Sequence, residues 1–144
     1  MDYQAYNRAR LNRRRIDRID CKTVVFVVPN LAKVGLVGNE IRLPFKGTIS
    51  DIYASCGESG GTVLIDIEKC SQADYDTVPI WHSILEDKVR INEGSKSTNT
   101  SDSYSIKDEE IHKNDHLRLN ILEVGGEIKD IVLEITIDLY IEEY

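Results

Sequence analysis

Ile131-Val132-Leu133-Glu134-Ile135-Thr136-Ile137-Asp138-Leu139-Tyr140-Ile141 decides the fold class. Ile131, Leu133, Ile135, Ile137, Leu139 and Ile141 alternate without a break against Val132, Glu134, Thr136, Asp138 and Tyr140. A period of two places the first set on one face of a strand and the second on the other, so the segment predicts a long strand with one buried and one wet face. Just upstream, Leu117, Leu119 and Ile121 alternate with Arg118, Asn120 and Leu122, and Gly125-Gly126 follows Val124. The pair predicts two antiparallel strands joined by a glycine-containing turn.

Earlier segments repeat the pattern in shorter runs. Thr23 to Val28 is a compact β-branched run closed by Pro29-Asn30, Glu40 to Phe45 alternates, and Lys46-Gly47 leads into Thr48 to Ser55. Gly57-Glu58-Ser59-Gly60-Gly61 reads as a loop by composition. Val63, Ile65 and Ile67 then alternate with Leu64, Asp66 and Glu68, and Ile80 to Leu85 and Lys88 to Ile91 make two further short strands. Residues 92–105 are nearly all small or polar and predict an exposed loop long enough to carry contacts. Roughly seven to nine strands over residues 23–141, at this turn spacing, predict an all-β antiparallel sandwich of jelly-roll type. Residues 23–144 form its single domain.

The first 22 residues differ in kind. Arg8, Arg10, Arg13, Arg14, Arg15 and Arg18 give residues 1–22 a net charge of +4, whereas the remainder carries −11 in a chain of −7 overall. Tyr3, Ala5, Tyr6, Ala9 and Leu11, good helix propensity and no Gly or Pro before residue 29 predict a short helical basic arm over about residues 3–18. Its apolar face is thin, so a neighbouring chain is the simplest thing to order it. Binding DNA would bring the acidic body against the phosphates, whereas docking on an acidic protein surface, including a neighbouring copy, meets no such repulsion. The six arginines are accordingly the candidate partner-binding residues, for protein in preference to nucleic acid.

At 144 residues, with 41% hydrophobic and 30% charged residues, the chain fits one folded domain with a core. The longest apolar stretch, Val24 to Val28, is five residues, far short of the roughly 20 that span a bilayer, and no secretory leader opens the chain. No membrane association and synthesis in a cytoplasm are the expectations. Cys21, Cys56 and Cys70 lack the close spacing of a zinc knuckle or redox pair and read as reduced structural thiols, a Cys56 to Cys70 bridge across a hairpin being the one alternative pairing.

No motif assembles a catalytic, cofactor or metal site. His112 and His116 stand four apart, but Asn114-Asp115 between them signals a turn in place of the helix such a metal pair needs. His82 has no nucleophile placed by a recognisable motif. Asp66 and Glu68 share a strand face and read as solvated, and Gly57 to Gly61 lacks the Lys and helix of a phosphate loop. Trp81, Phe26 and Phe45 lie among aliphatics and read as core, which leaves Tyr75 and Tyr104 as the exposed aromatics that could contact a ligand such as a glycan.

Pro44-Phe45-Lys46-Gly47-Thr48-Ile49, Ile65-Asp66-Ile67-Glu68-Lys69, Trp81-His82-Ser83-Ile84-Leu85, Asn114-Asp115-His116-Leu117 and the stretch from Gly125 to Ile137 follow one another in a recognisable order. The order resembles the small jelly-roll β modules of tailed-bacteriophage virion proteins, of head-fibre, tail-fibre and decoration type, over about residues 24–139. Cys70-Ser71 stands where that pattern usually has Asn-Gly. The resemblance implies a non-enzymatic structural protein of a phage or prophage particle, assembled in the host cytoplasm as a homo-oligomer, a trimer being favoured, with other virion proteins as partners. A carbohydrate-binding module that recognises host surface glycans is the alternative, and a nucleic-acid accessory protein a third.

Overall fold

The computed structural model describes residues 20–99 and 103–139. Its spine is one strand, β11, running 24 residues from His116 to Leu139. The sequence predicts a turn at Gly125-Gly126 here, and the structure corrects it: both glycines lie inside the strand, opposite Gly61 and Thr62 of β5 (Glu58–Cys70), whose first four residues were expected to be loop. The reason is close approach. A Cβ on Gly126 would sit 2.6 Å from the Gly60 carbonyl oxygen, one on Gly60 would sit 2.7 Å from the Glu127 carbonyl oxygen, and Gly126 holds φ +83°. Glycines on both strands let the two backbones meet where side chains would hold them apart.

Two runs of chain flank β11, both antiparallel to it. On one side lie β1 (Asp20–Leu31), β2 (Gly35–Leu36) and β3 (Ile41–Arg42); on the other lie β4 (Gly47–Ser55) and then β5. All three runs change course at one level. β1 shifts register between Val28 and Leu31 with Asn30 at φ 63°, Asp130 of β11 holds φ 57°, and Gly57, between β4 and β5, donates its N–H to the Lys129 carbonyl at 2.9 Å. The Asn30 N–H donates to the Asp130 carboxylate at 2.9 Å, tying the bend together. Asn and Asp tolerate this left-handed backbone better than branched residues do, and a bulge shared by adjacent strands curls the sheet. The result is an all-β, antiparallel body with a curled sheet.

Curling brings the inward faces of both halves of β11 into one core. Leu117, Leu119, Ile131, Leu133, Ile135 and Ile137 are fully buried together with Ile52 of β4, Val63, Ile65 and Ile67 of β5 and Phe26 of β1. Each such aliphatic contributes about 1.5–3 kcal/mol by leaving water. The expected alternation of Val63, Ile65 and Ile67 in β5 is present and the segment Thr48 to Ser55 lies in β4, whereas the strand expected over residues 40–45 is only Ile41–Arg42.

Short elements complete the body: α1 (Gln72–Asp76), β6 (His82–Ser83), β7 (Leu85–Asp87), β8 (Val89–Ile91), β9 (Ser105–Ile106) and β10 (Glu110–Ile111). The helix α1 starts at Ser71, whose hydroxyl accepts the Asp74 N–H at 3.2 Å, an N-cap. The described part of the long polar loop is stitched along β4. Ser97 bridges Ser55, the Thr98 N–H donates to the Ala54 carbonyl at 3.0 Å, and the Ala54 N–H donates to the Thr98 hydroxyl at 3.2 Å. None of the three cysteines is in a disulfide; Cys56 and Cys70 are buried and Cys21 is exposed, so only two of the thiols follow the buried structural reading. Among the described residues no helix is long and apolar enough to cross a membrane.

Candidate functional site

The outward face of β5 and of the first half of β11 is not solvated, which corrects the sequence reading of Asp66 and Glu68. Asp66 is 5% exposed, accepts from the Ser83 hydroxyl and lies 3.4 Å from the Lys88 ammonium. Glu68 pairs with Arg118 directly across the ladder, Nε to Oε1 at 2.6 Å. Each carboxylate has its own cation. Gln72 and Tyr75 of α1, with Trp81, Ser83 and Lys88, supply side chains that contact this face.

Tyr75, from α1, stacks on the His116 ring with centroids 3.8 Å apart and planes at 6°. Trp81 meets Tyr75 edge-on at 6.4 Å and 84°, and the Arg118 guanidinium lies 4.2 Å from the Trp81 ring centre. Trp81 is therefore half-buried on the outer face and not a core residue, whereas Ile84 and Leu85 of the same segment are in the core. Phe26 is in the core and Phe45 packs against it, as expected. The Tyr75 hydroxyl donates to Glu40 at 3.0 Å, and this bond to a carboxylate pushes the phenol above its ordinary pKa. His116 shares a 2.8 Å hydrogen bond with the Gln72 side-chain oxygen. The arrangement places aromatic edges and a planar cation together on one face of the protein.

Tyr104, expected to be exposed, is half-buried. Its hydroxyl accepts the Ile52 N–H at 2.8 Å and donates to Asp51 at 3.0 Å, so it pins the loop to β4. Burial, first, and then the Asp51 bond raise its pKa, against a lowering by the Ile52 N–H. His112 sits exposed in the turn before β11 while His116 is buried under Tyr75; among the described residues no group of three or more His, Cys, Asp or Glu could hold a metal ion. An open cleft lined by Leu64, Glu86, Asp87, Lys88, Arg90 and Ser103 has Asp87 engaged with Ser105 and Lys88 with Asp66.

Arg8, Arg10, Arg13, Arg14, Arg15 and Arg18, and the helix expected over residues 3–18, lie outside the described residues, as do Tyr140 and Ile141. The strand β1 begins at Asp20, so the last three residues of the 1–22 segment, Asp20, Cys21 and Lys22, are already paired with Leu139, Asp138 and Ile137. Among the described residues β1 pairs with β11 alone, which makes it an edge strand of 12 residues. Phe26 and Val28 point to the core while Val25 and Val27 are 45% and 53% exposed. Leu31, Val34 and Leu36 continue the exposed apolar row along the same side of β11. An unbroken run such as Val24-Val25-Phe26-Val27-Val28 suits a strand covered on both faces, and here Val25 and Val27 on the outer face stay exposed. The run itself was the available signal, but only the pairing of β1 reveals which residues face outward.

No known protein family matches the chain, and no curated protein matches it.

Proposed function

We propose that the chain is a non-enzymatic structural protein of a bacteriophage or prophage particle, whose jelly-roll sandwich body is fastened to neighbouring copies or other virion proteins through its basic amino-terminal segment. It works as a homo-oligomer, with a trimer favoured. The observation that carries this reading is the edge strand β1: a long apolar edge with a bare face follows directly on the segment that holds six arginines. Natural sheets usually shield such edges with charge, proline or a covering element; β1 has no charge or proline between Thr23 and Val28, and no further strand pairs with it among the described residues. A partner would cover it. Size-exclusion chromatography with light scattering on the full chain and on a chain lacking residues 1–19, which leaves β1 intact, tests the reading. Loss of association on deletion is the expected result, and unchanged association overturns it; mass spectrometry of purified particles tests the virion assignment.

Glycan recognition is the second reading, favoured by Trp81 and Tyr75 with Arg118 beside them. Trp81→Ala should abolish binding on a glycan array while Tyr104→Ala leaves it unchanged. No binding by the full chain sinks this alternative.

A further inference from the structure

We infer that the outward face of the β1–β11–β4 layer is the seat on which residues 1–19 of a second copy dock. This rests on the tether reading above and names its receiving surface.

Residues paired across a sheet share a face. Reading outward from the bend, Val27 lies beside Val132, Val25 beside Glu134 and then Tyr53, and Cys21 beside Asp138. The face is therefore apolar near the bend and acidic toward the start of β1. Asp51, beside Thr136, adds a carboxylate, and none of the residues paired in these rows is Lys or Arg. Val25 and Val27 stand exposed on it, and among the described residues β1 has no strand along its outer edge.

Residues 1–19 complement it in both respects. They carry a net charge of +4 against −11 for the rest of the chain, with Arg13, Arg14 and Arg15 consecutive and Tyr6, Leu11 and Ile16 among them. Arginine meets carboxylate with two parallel hydrogen bonds, and its stem lies along apolar surface.

The copy matters. Residues 1–19 join β1 at Asp20, next to Leu139 at the far end of the layer from the bend. To lie over its own face the segment would have to reverse at once. Close to Asp20 it has no glycine or proline, and Asp17 is its one residue of a turn-favouring type. Docking on a second copy makes no such demand.

Two variants test the seat. The face variant combines Glu134→Lys with Asp138→Lys; the arm variant combines Arg13→Glu, Arg14→Glu and Arg15→Glu. Light scattering on the full chain should show association, each variant alone should lose about tenfold or more in affinity, and an equimolar mixture should recover it because opposite charges again face each other. Glu134→Gln with Asp138→Asn, which only neutralises the strand surface, should give a smaller loss. If the chain lacking residues 1–19 fails to associate but the face variant associates normally, the tether stands and this seat is wrong. If the deleted chain associates normally, the tether reading falls and takes the seat with it. A full chain that is monomeric at its highest soluble concentration overturns both, and a mixture that stays apart while both variants keep the wild-type circular dichroism overturns the seat.

Discussion

Arg118 lies with its guanidinium carbon 4.2 Å from the centre of the Trp81 ring while its Nε donates to Glu68 at 2.6 Å. One cation thus serves an aromatic face and a carboxylate, both partly withdrawn from water, where screening is weaker than at an open surface. Arg118→Ala strands Glu68 without its partner, so urea unfolding should show a loss of about 1–3 kcal/mol. Arg118→Lys keeps the charge but loses the planar stack, and should lie between. A change under about 0.5 kcal/mol for Arg118→Ala would mean that the stack contributes only to surface chemistry.

The glycines of β11 and β5 make a sharper comparison. Gly94 and Gly126 both hold positive φ, +86° and +83°, but an added Cβ meets nothing within 4 Å at Gly94 and the Gly60 carbonyl oxygen at 2.6 Å at Gly126. Gly94→Ala should therefore cost about 1–2 kcal/mol, the backbone penalty alone. Gly126→Ala adds a clash between two backbones and should cost about 1–3 kcal/mol more. Equal losses in chemical denaturation would show that close strand approach is not why Gly126 is there.

Those same glycines mark where sequence reading stopped. Alternation from Ile131 to Leu139 is a local property, and it identified the strand and its buried face. Whether Gly125-Gly126 turns the chain or lets another backbone come close depends on Gly60-Gly61, some 65 residues away in sequence, and no local pattern carries that. Trp81 misled for a related reason. Its aliphatic-rich segment, Ile80 to Leu85, suggested core, yet the side chain lies at the outer face with Tyr75 and Arg118, a placement that becomes visible only with α1 over β5 and β11. The Ser71 cap of α1 was legible in principle, since Ser is a favoured N-cap, but a helix of five residues has too little periodicity to announce itself. The exposed side of β1 was hidden because an all-apolar run has no alternation to read.

Tyr104 predicts an alkaline weakness. Burial and the Asp51 bond raise its pKa above the ordinary value of about 10. The folded protein then keeps the proton to higher pH than the unfolded chain does. Its stabilising contribution is whole below the unfolded-state value and is lost as pH rises through the folded one. Tyr75, raised by its bond to Glu40, acts with the same sign. Tyr104→Phe should cost about 1–2 kcal/mol at neutral pH, because the Ile52 N–H loses its acceptor, and should make the decline in stability above about pH 10 shallower. Denaturant midpoints across that range check both statements, and an unchanged alkaline slope would remove Tyr104 from the account.

Thiol chemistry reports on the outward face of β1 directly. Cys21 is exposed, and its thiol donates to Asp138 at 3.1 Å; that bond, first among the causes, raises its pKa and holds back the reactive thiolate. Cys56 and Cys70 are buried, and burial also raises the Cys56 thiol. In the native protein a thiol-specific reagent should therefore label Cys21 first, with Cys56 and Cys70 following only on opening of the sheet. Asp138→Asn removes the anion beside Cys21, so labelling at neutral pH should become faster while the two slow phases stay unchanged. A rate indifferent to Asp138→Asn would show that the carboxylate does not control this thiol, and slow phases that move with it would mean that the substitution had loosened the fold.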